Sequence, residues 1–318
     1  VSKAFEGHED CGCCGFHATQ KFLNEMAVQR LHRTALNWAG LERVIRTESG
    51  DVPYVPGEVR LTELLADNAD RMASEIEQPI RDALDRPYLD EVAVTDAAQQ
   101  ANQRWQEESY PEGLDNEVRE VLSATALIGA HELGFAPALD DIDRLRIVNG
   151  MSASAKYYTN RYFNTHVMTA LIDAVHVAVL DGTSNDGAQI RAIHALLDRR
   201  LRSVPYWNIV ANAAASRAYH YGYIKTGLAS GLRTIRFSAV IDSRTSEICQ
   251  AMNGTTWRTA DLSAFADQIA TATTDDIKDV APWVKASDIQ GLTPAQLLTM
   301  GVAIPPLHGR CRSQLIFT

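Results

Sequence analysis

The chain has 318 residues, 46% of them hydrophobic, enough apolar surface for one large or two moderate cores. Its formal net charge is −10, which argues against coating nucleic acid, because neutralising a phosphate backbone needs a basic surface. There is no run of about eighteen apolar residues, so no membrane span is expected, and Val1-Ser2-Lys3-Ala4-Phe5 lacks the apolar stretch of a signal peptide. Five cysteines without an export signal point to reduced thiols or metal ligands rather than a disulfide framework.

The first dense feature is His8-Glu9-Asp10-Cys11-Gly12-Cys13-Cys14-Gly15-Phe16-His17. His8, Cys11, Cys14 and His17 stand three apart, a set of four soft ligands that zinc would take, with Gly12 and Gly15 permitting tight turns. Zinc modules ordinarily draw their ligands from two separated segments. A flexible terminus, or thiols packed on a neighbouring subunit, is therefore the competing reading.

Apolar residues at helical spacing (Phe22, Met26, Leu31, Ala35, Trp38, Leu41, Ile45) predict a helix over 18–46. Two prolines and a glycine in Asp51-Val52-Pro53-Tyr54-Val55-Pro56-Gly57 end it. A second helix is expected over 61–84, capped at Thr62 or upstream, with Pro79 as a place to kink. Further helices follow over 92–108, 114–133 and 151–180. His131-Glu132 is half of a zinc-protease motif whose second histidine is replaced by Phe135, so no such site is expected. Asp181-Gly182-Thr183-Ser184-Asn185-Asp186-Gly187 is the strongest turn signal. It divides the chain into a helical region, 1–184, and a second unit, 185–318. Helices over 188–201 and 205–228 open that unit. Strands over 233–241 and 314–317 are expected to pair, which would bring Cys311 toward Cys249. The fold class is mainly α, with a long-helix N-terminal region followed by a small α+β C-terminal domain with a short antiparallel sheet.

The functional signal lies in two distant segments of that last unit. One runs Asp242-Ser243-Arg244-Thr245, then Cys249, then Gly254 and Trp257. The other runs Pro305-Pro306-Leu307-His308-Gly309-Arg310-Cys311-Arg312. His308 and Cys311 form an H-x-x-C pair that one turn can present to a metal, and Cys249 makes three candidate ligands where tetrahedral zinc takes four. Asp242 or a water is the candidate fourth. The alternative is that both thiols are small buried apolar groups and His308 bonds the backbone. Asp242 also has the position of a turn-initiating or capping residue. Arg244, Arg310 and Arg312 are positioned to pair with Asp242 and Glu247, tying the segments together without metal.

In order and spacing these residues resemble the C-terminal domain of the Mu F-like phage head morphogenesis family, the minor head proteins of tailed phages. The matching positions are Asp242, Arg244, Thr245, Cys249, Gly254, Trp257, Pro305, Pro306, His308, Cys311 and Arg312, and the resemblance covers roughly 190–318. The chain departs from the pattern at Ser246 and Ser313, where many members carry further cysteines. It departs again in the preceding helix, where an Ala-rich stretch replaces an Arg-Thr-Glu. The resemblance implies a structural virion protein inside the capsid near the portal. Its expected partners are the portal protein, the major capsid protein and the packaged DNA, with the host cytoplasm as the place of assembly and no membrane. A competing reading takes Asp242, Cys249, His308 and Cys311 as a thiol- or metal-dependent hydrolase. No phosphate loop or recognised catalytic spacing accompanies them, so no enzyme is expected.

Overall fold

The structure, a computed structural model, describes residues 55–318 apart from 137, 141, 142, 144, 145 and 183–185. The predicted helix over 18–46 and the candidate ligands His8, Cys11, Cys14 and His17 lie outside the described residues. In chain order the helices are α1 (Glu58–Leu84), α2 (Glu91–Glu108), α3 (Glu112–His131), α4 (Ser152–Tyr162), α5 (Thr169–Leu180), α6 (Gly187–Leu201) and α7 (Val204–Ala229). The C-terminal part then alternates β1 (Thr234–Ser238), α8 (Glu247–Met252), β2 (Thr256–Arg258) and α9 (Thr259–Thr271). It continues through α10 (Ile277–Val280), α11 (Ala286–Ile289) and α12 (Pro294–Thr299) to β3 (Gln314–Phe317).

The long helices follow their apolar periodicity. In α1, Leu61, Leu65, Ala69, Met72, Ile76, Ile80 and Leu84 fall on one face and are buried. The helix begins at Glu58, after Gly57 in a left-handed conformation, three residues earlier than predicted, and it continues through Pro79. Thr62 caps nothing; its hydroxyl donates to Glu58 O at 2.8 Å. Asp90 caps α2 by accepting from the Val92 and Ala93 amides, and Asp186 caps α6 through the Ala188 amide. The helix predicted over 151–180 starts earlier, with a π turn at Ile147–Met151, and a second π turn at Phe163–Met168 separates α4 from α5. Ser152–Leu180 is, by length and composition alone, apolar enough to cross a membrane. In this fold Leu171, Val175 and Ala178 of α5 are buried.

The central element is α7, buried on nearly every side, with a middle rich in small residues (Ala211, Ala213, Ala214, Ala215, Ser216 and Ala218). It meets α3 backbone to backbone. A Cβ on Gly222 would lie 1.9 Å from Ala126 O, and one on Gly129 would lie 2.0 Å from Tyr219 O. Glycine is required at both because no other residue lets the two backbones approach so closely. Glu58 at the start of α1 ties down the first half of α7 by accepting from Asn208 and Asn212. An aromatic cluster of Trp105, Tyr162, Phe163, Tyr206 and Trp207 fills the space between α2, the second π turn and α7.

The sheet has the order β2-β1-β3 and is antiparallel throughout. Pairing of β1 with β3 was expected, and Phe237 opposite Leu315 sets its register. β1 ends at Ser238, short of the predicted 241. β2 and the helices α8 to α12 were not foreseen. The strand is only three residues long, and several of these helices are single turns, too short to show a periodicity.

Candidate metal centre

Beyond β1 the chain turns at Asp242. The Arg244 amide donates to Asp242 Oδ1 at 2.9 Å, and the Asp242 amide donates to Thr245 Oγ1 at 2.8 Å. Thr245 in turn donates to Val240 O at 2.5 Å. This is the turn-initiating role expected of Asp242, and it delivers Ser246 to the N-cap of α8, where its Oγ accepts from the Cys249 amide. One turn of helix then carries Cys249 inward, where it is 3% exposed. Gly254, at φ 86°, leads out of α8 and donates its N–H to Phe237 O at 2.9 Å. Trp257 on β2 is buried and donates its indole N–H to Pro294 O at 2.8 Å.

The second segment arrives through Pro305 and Pro306, both buried, and carries His308 and Cys311 to Cys249 just before β3 pairs with β1. Cys249 Sγ lies 3.2 Å from His308 Nε2 and 3.6 Å from Cys311 Sγ, and all three ligand atoms fall within 4.8 Å of one another. The Sγ separation exceeds the roughly 2.05 Å of a disulfide, and both thiols are free. Zinc with bonds of about 2.3 Å to sulfur and about 2.0 Å to nitrogen would set its ligands roughly 3.5–3.8 Å apart. The Cys-His-Cys set is therefore close to the spacing a tetrahedral ion needs.

The imidazole is oriented for that purpose. His308 Nδ1 stands 2.6 Å from Gly309 O, and a carbonyl can only accept, so Nδ1 carries the proton and Nε2 faces the thiols. Ser246 Oγ is 2.8 Å from the same Nε2. The electrostatics of the pocket are those of a ligand set. Hydrogen bonds from Cys311 first, then from His308, Ser246 and Ser313, pull the Cys249 thiol down to about 4 against the opposing effect of burial. The Cys249 thiolate raises His308, and the same sulfur, together with burial, pushes the Cys311 thiol upward. One thiolate, one thiol and an imidazole in contact can hold a metal ion, which would displace the remaining thiol proton.

Asp242 is not among the ligands. Its carboxylate takes both ends of the Arg312 guanidinium, Nη1 to Oδ2 at 2.7 Å and Nη2 to Oδ1 at 2.5 Å. Arg312, helped by the Arg244 amide, holds that carboxyl well below the usual carboxylate range. The tie expected between the two segments is thus made by Arg312, with Arg244 Nη2 more distant at 3.8 Å. Among the described residues Arg310 and Glu247 make no ion pair with either segment. Arg310 instead takes a left-handed backbone conformation at φ 62°. An Asp-His-Cys triad is not assembled, since Asp242 faces Arg312 and His308 Nδ1 faces Gly309.

Three residues at the site were not singled out as participants. Ser246 and Ser313 both hydrogen-bond the Cys249 sulfur, and His220 of α7 is 3% exposed. His220 Nδ1 is 2.7 Å from Ser216 O, and its Nε2 is buried without a hydrogen-bond partner. His220, Ser216, Cys311 and Ser313 line a cavity of about 10 Å³, room for about one water molecule. The Ser-x-x-Cys spacing of an N-cap was the one available signal for Ser246. Nothing local in the sequence ties His220 to a segment so far along the chain.

No family model, no curated protein and no solved structure matches this chain.

Proposed function

We propose that the chain is a structural minor head protein of a tailed phage, placed inside the capsid near the portal and acting in head assembly and in DNA packaging or ejection. The observation that carries this reading is the use made of the motif residues. Asp242, Thr245, Cys249, Trp257, His308, Cys311 and Arg312 hold two distant segments together around one small sheet. Among the described residues, the space beside Cys311 has room for about one water molecule, too little for a substrate. A motif used for cohesion fits an assembly component better than a catalyst. In this reading zinc is the ion of the Cys249-His308-Cys311 set, with a water in the fourth position and Ser246 and Ser313 hydrogen-bonding the ligands.

Quantitative mass spectrometry of purified, nuclease-treated particles tests the proposal. A small fixed ratio of this chain to portal protein is expected, and its absence from particles would sink the structural reading.

The close Cys249–His308 contact favours one rival, a thiol-dependent hydrolase. The rival requires a reactive sulfur. Fast alkylation of native Cys249, abolished by His308→Ala, would support it, and a thiol inert until unfolding would remove it.

A further inference from the structure

A second cavity lies away from the cysteines, where three elements meet. It encloses about 440 Å³ between the start of α3, the first π turn with the start of α4, and the end of α9. Its floor is a close crossing, since a Cβ on Gly150 would fall 1.6 Å from Ala270 O. Arg119, Arg146, Lys156, Ser152 and Thr274 are among the residues that line it, and Asp115 is the one acidic lining residue among those described.

The surrounding charge is unbalanced in a chain that is acidic overall. Asp115 is paired with Arg119 at 2.6 Å, and Arg146 uses Nη1 for both Asp267 at 3.2 Å and Asp143 at 3.9 Å. Asp143 and Asp267 also share Lys225 and the Tyr221 hydroxyl. Lys156 is exposed and has no ion-pair partner among the described residues. Arg217 is 4% exposed, bonds Ser154 Oγ at 2.8 Å and Ala281 O at 3.3 Å, and meets no carboxylate among the described residues. Ser154 belongs to the same first turns of α4 that wall the cavity. Among the described residues that line the cavity three cations thus meet one carboxylate, and Lys156 and the neighbouring buried Arg217 have no carboxylate partner.

We propose that this cavity is a binding site for a doubly charged phosphoryl group, held by Lys156 with Arg119, Arg146 and the Ser152 and Thr274 hydroxyls. The local excess of two positive charges matches a dianion. A concave site at a junction of elements suits a small ligand better than a duplex, which asks for an extended basic face. The inference is independent of the phage reading.

The test is calorimetric titration of the full chain with pyrophosphate in a chloride buffer, with Lys156→Glu and Lys278→Glu as variants, both lysines being exposed. Saturable one-site binding is expected, weakened roughly tenfold or more by K156E and unchanged by K278E. No saturable binding, or equal loss in both variants, overturns the proposal. A short DNA duplex distinguishes the sources of phosphate. A duplex that pyrophosphate displaces identifies the backbone as a ligand of this site, and no duplex binding beside tight pyrophosphate identifies a small ligand. Duplex binding that pyrophosphate fails to displace, with no pyrophosphate binding of its own, overturns the site.

Discussion

Asp242 and Arg312 stand 70 positions apart and meet as a two-bonded ion pair, fork against carboxylate, beside the Cys-His-Cys set. The pair fastens the turn after β1 to the strand entry before β3. Because Asp242 is on the surface, its contribution is geometric alignment more than bulk stability. Its folded pKa lies below the unfolded value, so the tie is fully present above about pH 4 and is lost as pH falls toward the folded value. Asp242→Asn should lower the melting temperature by a constant amount between pH 5 and 8, and the gap to the native chain should close below pH 4. A gap that widens in acid would contradict the assignment. Arg312→Lys should behave much like D242N, because a lysine cannot present two parallel donors.

The Cys249-His308-Cys311 spacing predicts metal uptake. Protein refolded with cobalt should show thiolate-to-metal absorption, and plasma mass spectrometry should find zinc in protein prepared without chelator. Cys249→Ser, Cys311→Ser and His308→Ala should each reduce the zinc content by about one equivalent per chain. The subtraction is necessary because the N-terminal His8, Cys11, Cys14 and His17 could bind metal as well. Chelation should lower the melting temperature of the native chain and leave that of C249S unchanged. Equal zinc content in all four proteins would remove the site.

The parts legible in the sequence are those with long periodicity or paired signals. The stripe from Leu61 to Leu84 identified α1. The alternation after Arg233 and the β-prone ending at Phe317 foretold the one pairing that brings Cys311 to Cys249. Asp242 was legible as a turn residue from its Ser-Arg-Thr sequel, and its pairing with Arg312 from complementary charge. What stayed hidden depends on tertiary placement. β2 has only Thr256, Trp257 and Arg258, too few residues to show alternation. His220 reads as one more residue of an Ala- and Tyr-rich helix until the fold sets it beside Cys311. The cavity of Arg119, Arg146 and Lys156 draws on three segments with no common motif.

The crossing of α3 and α7 predicts two opposite glycine effects. Gly222→Ala would press a methyl group to within 1.9 Å of Ala126 O, and backbone cannot yield as a side-chain tip can. A loss of about 3 kcal/mol or more is expected, read by urea unfolding. Gly113, in the first turn of α3, has no atom within 4 Å of an added Cβ. Gly113→Ala should therefore stabilise the chain by up to about 1 kcal/mol, by restricting the unfolded backbone. A mild G222A would mean that the helices can part at little cost.

Arg217 supplies the last prediction. Its guanidinium is buried in α7 with two neutral partners, and burial alone pulls its pKa down from the usual arginine range. A buried charge without a counter-ion costs several kcal/mol to desolvate, more than two neutral hydrogen bonds return. Arg217→Met keeps the stem and removes the charge, while stranding Ser154 Oγ and Ala281 O. The two changes oppose each other, so R217M should unfold within about 1 kcal/mol of the native chain. Adding Ser154→Ala removes one stranded group and should make the double variant at least as stable as the parent. Arg217→Ala also leaves a cavity and should cost about 2–4 kcal/mol. An R217M variant that loses as much as R217A would mean that the charge itself is stabilised. The phosphoryl ligand of the neighbouring cavity would then be the first counter-ion to test, by repeating the unfolding in pyrophosphate.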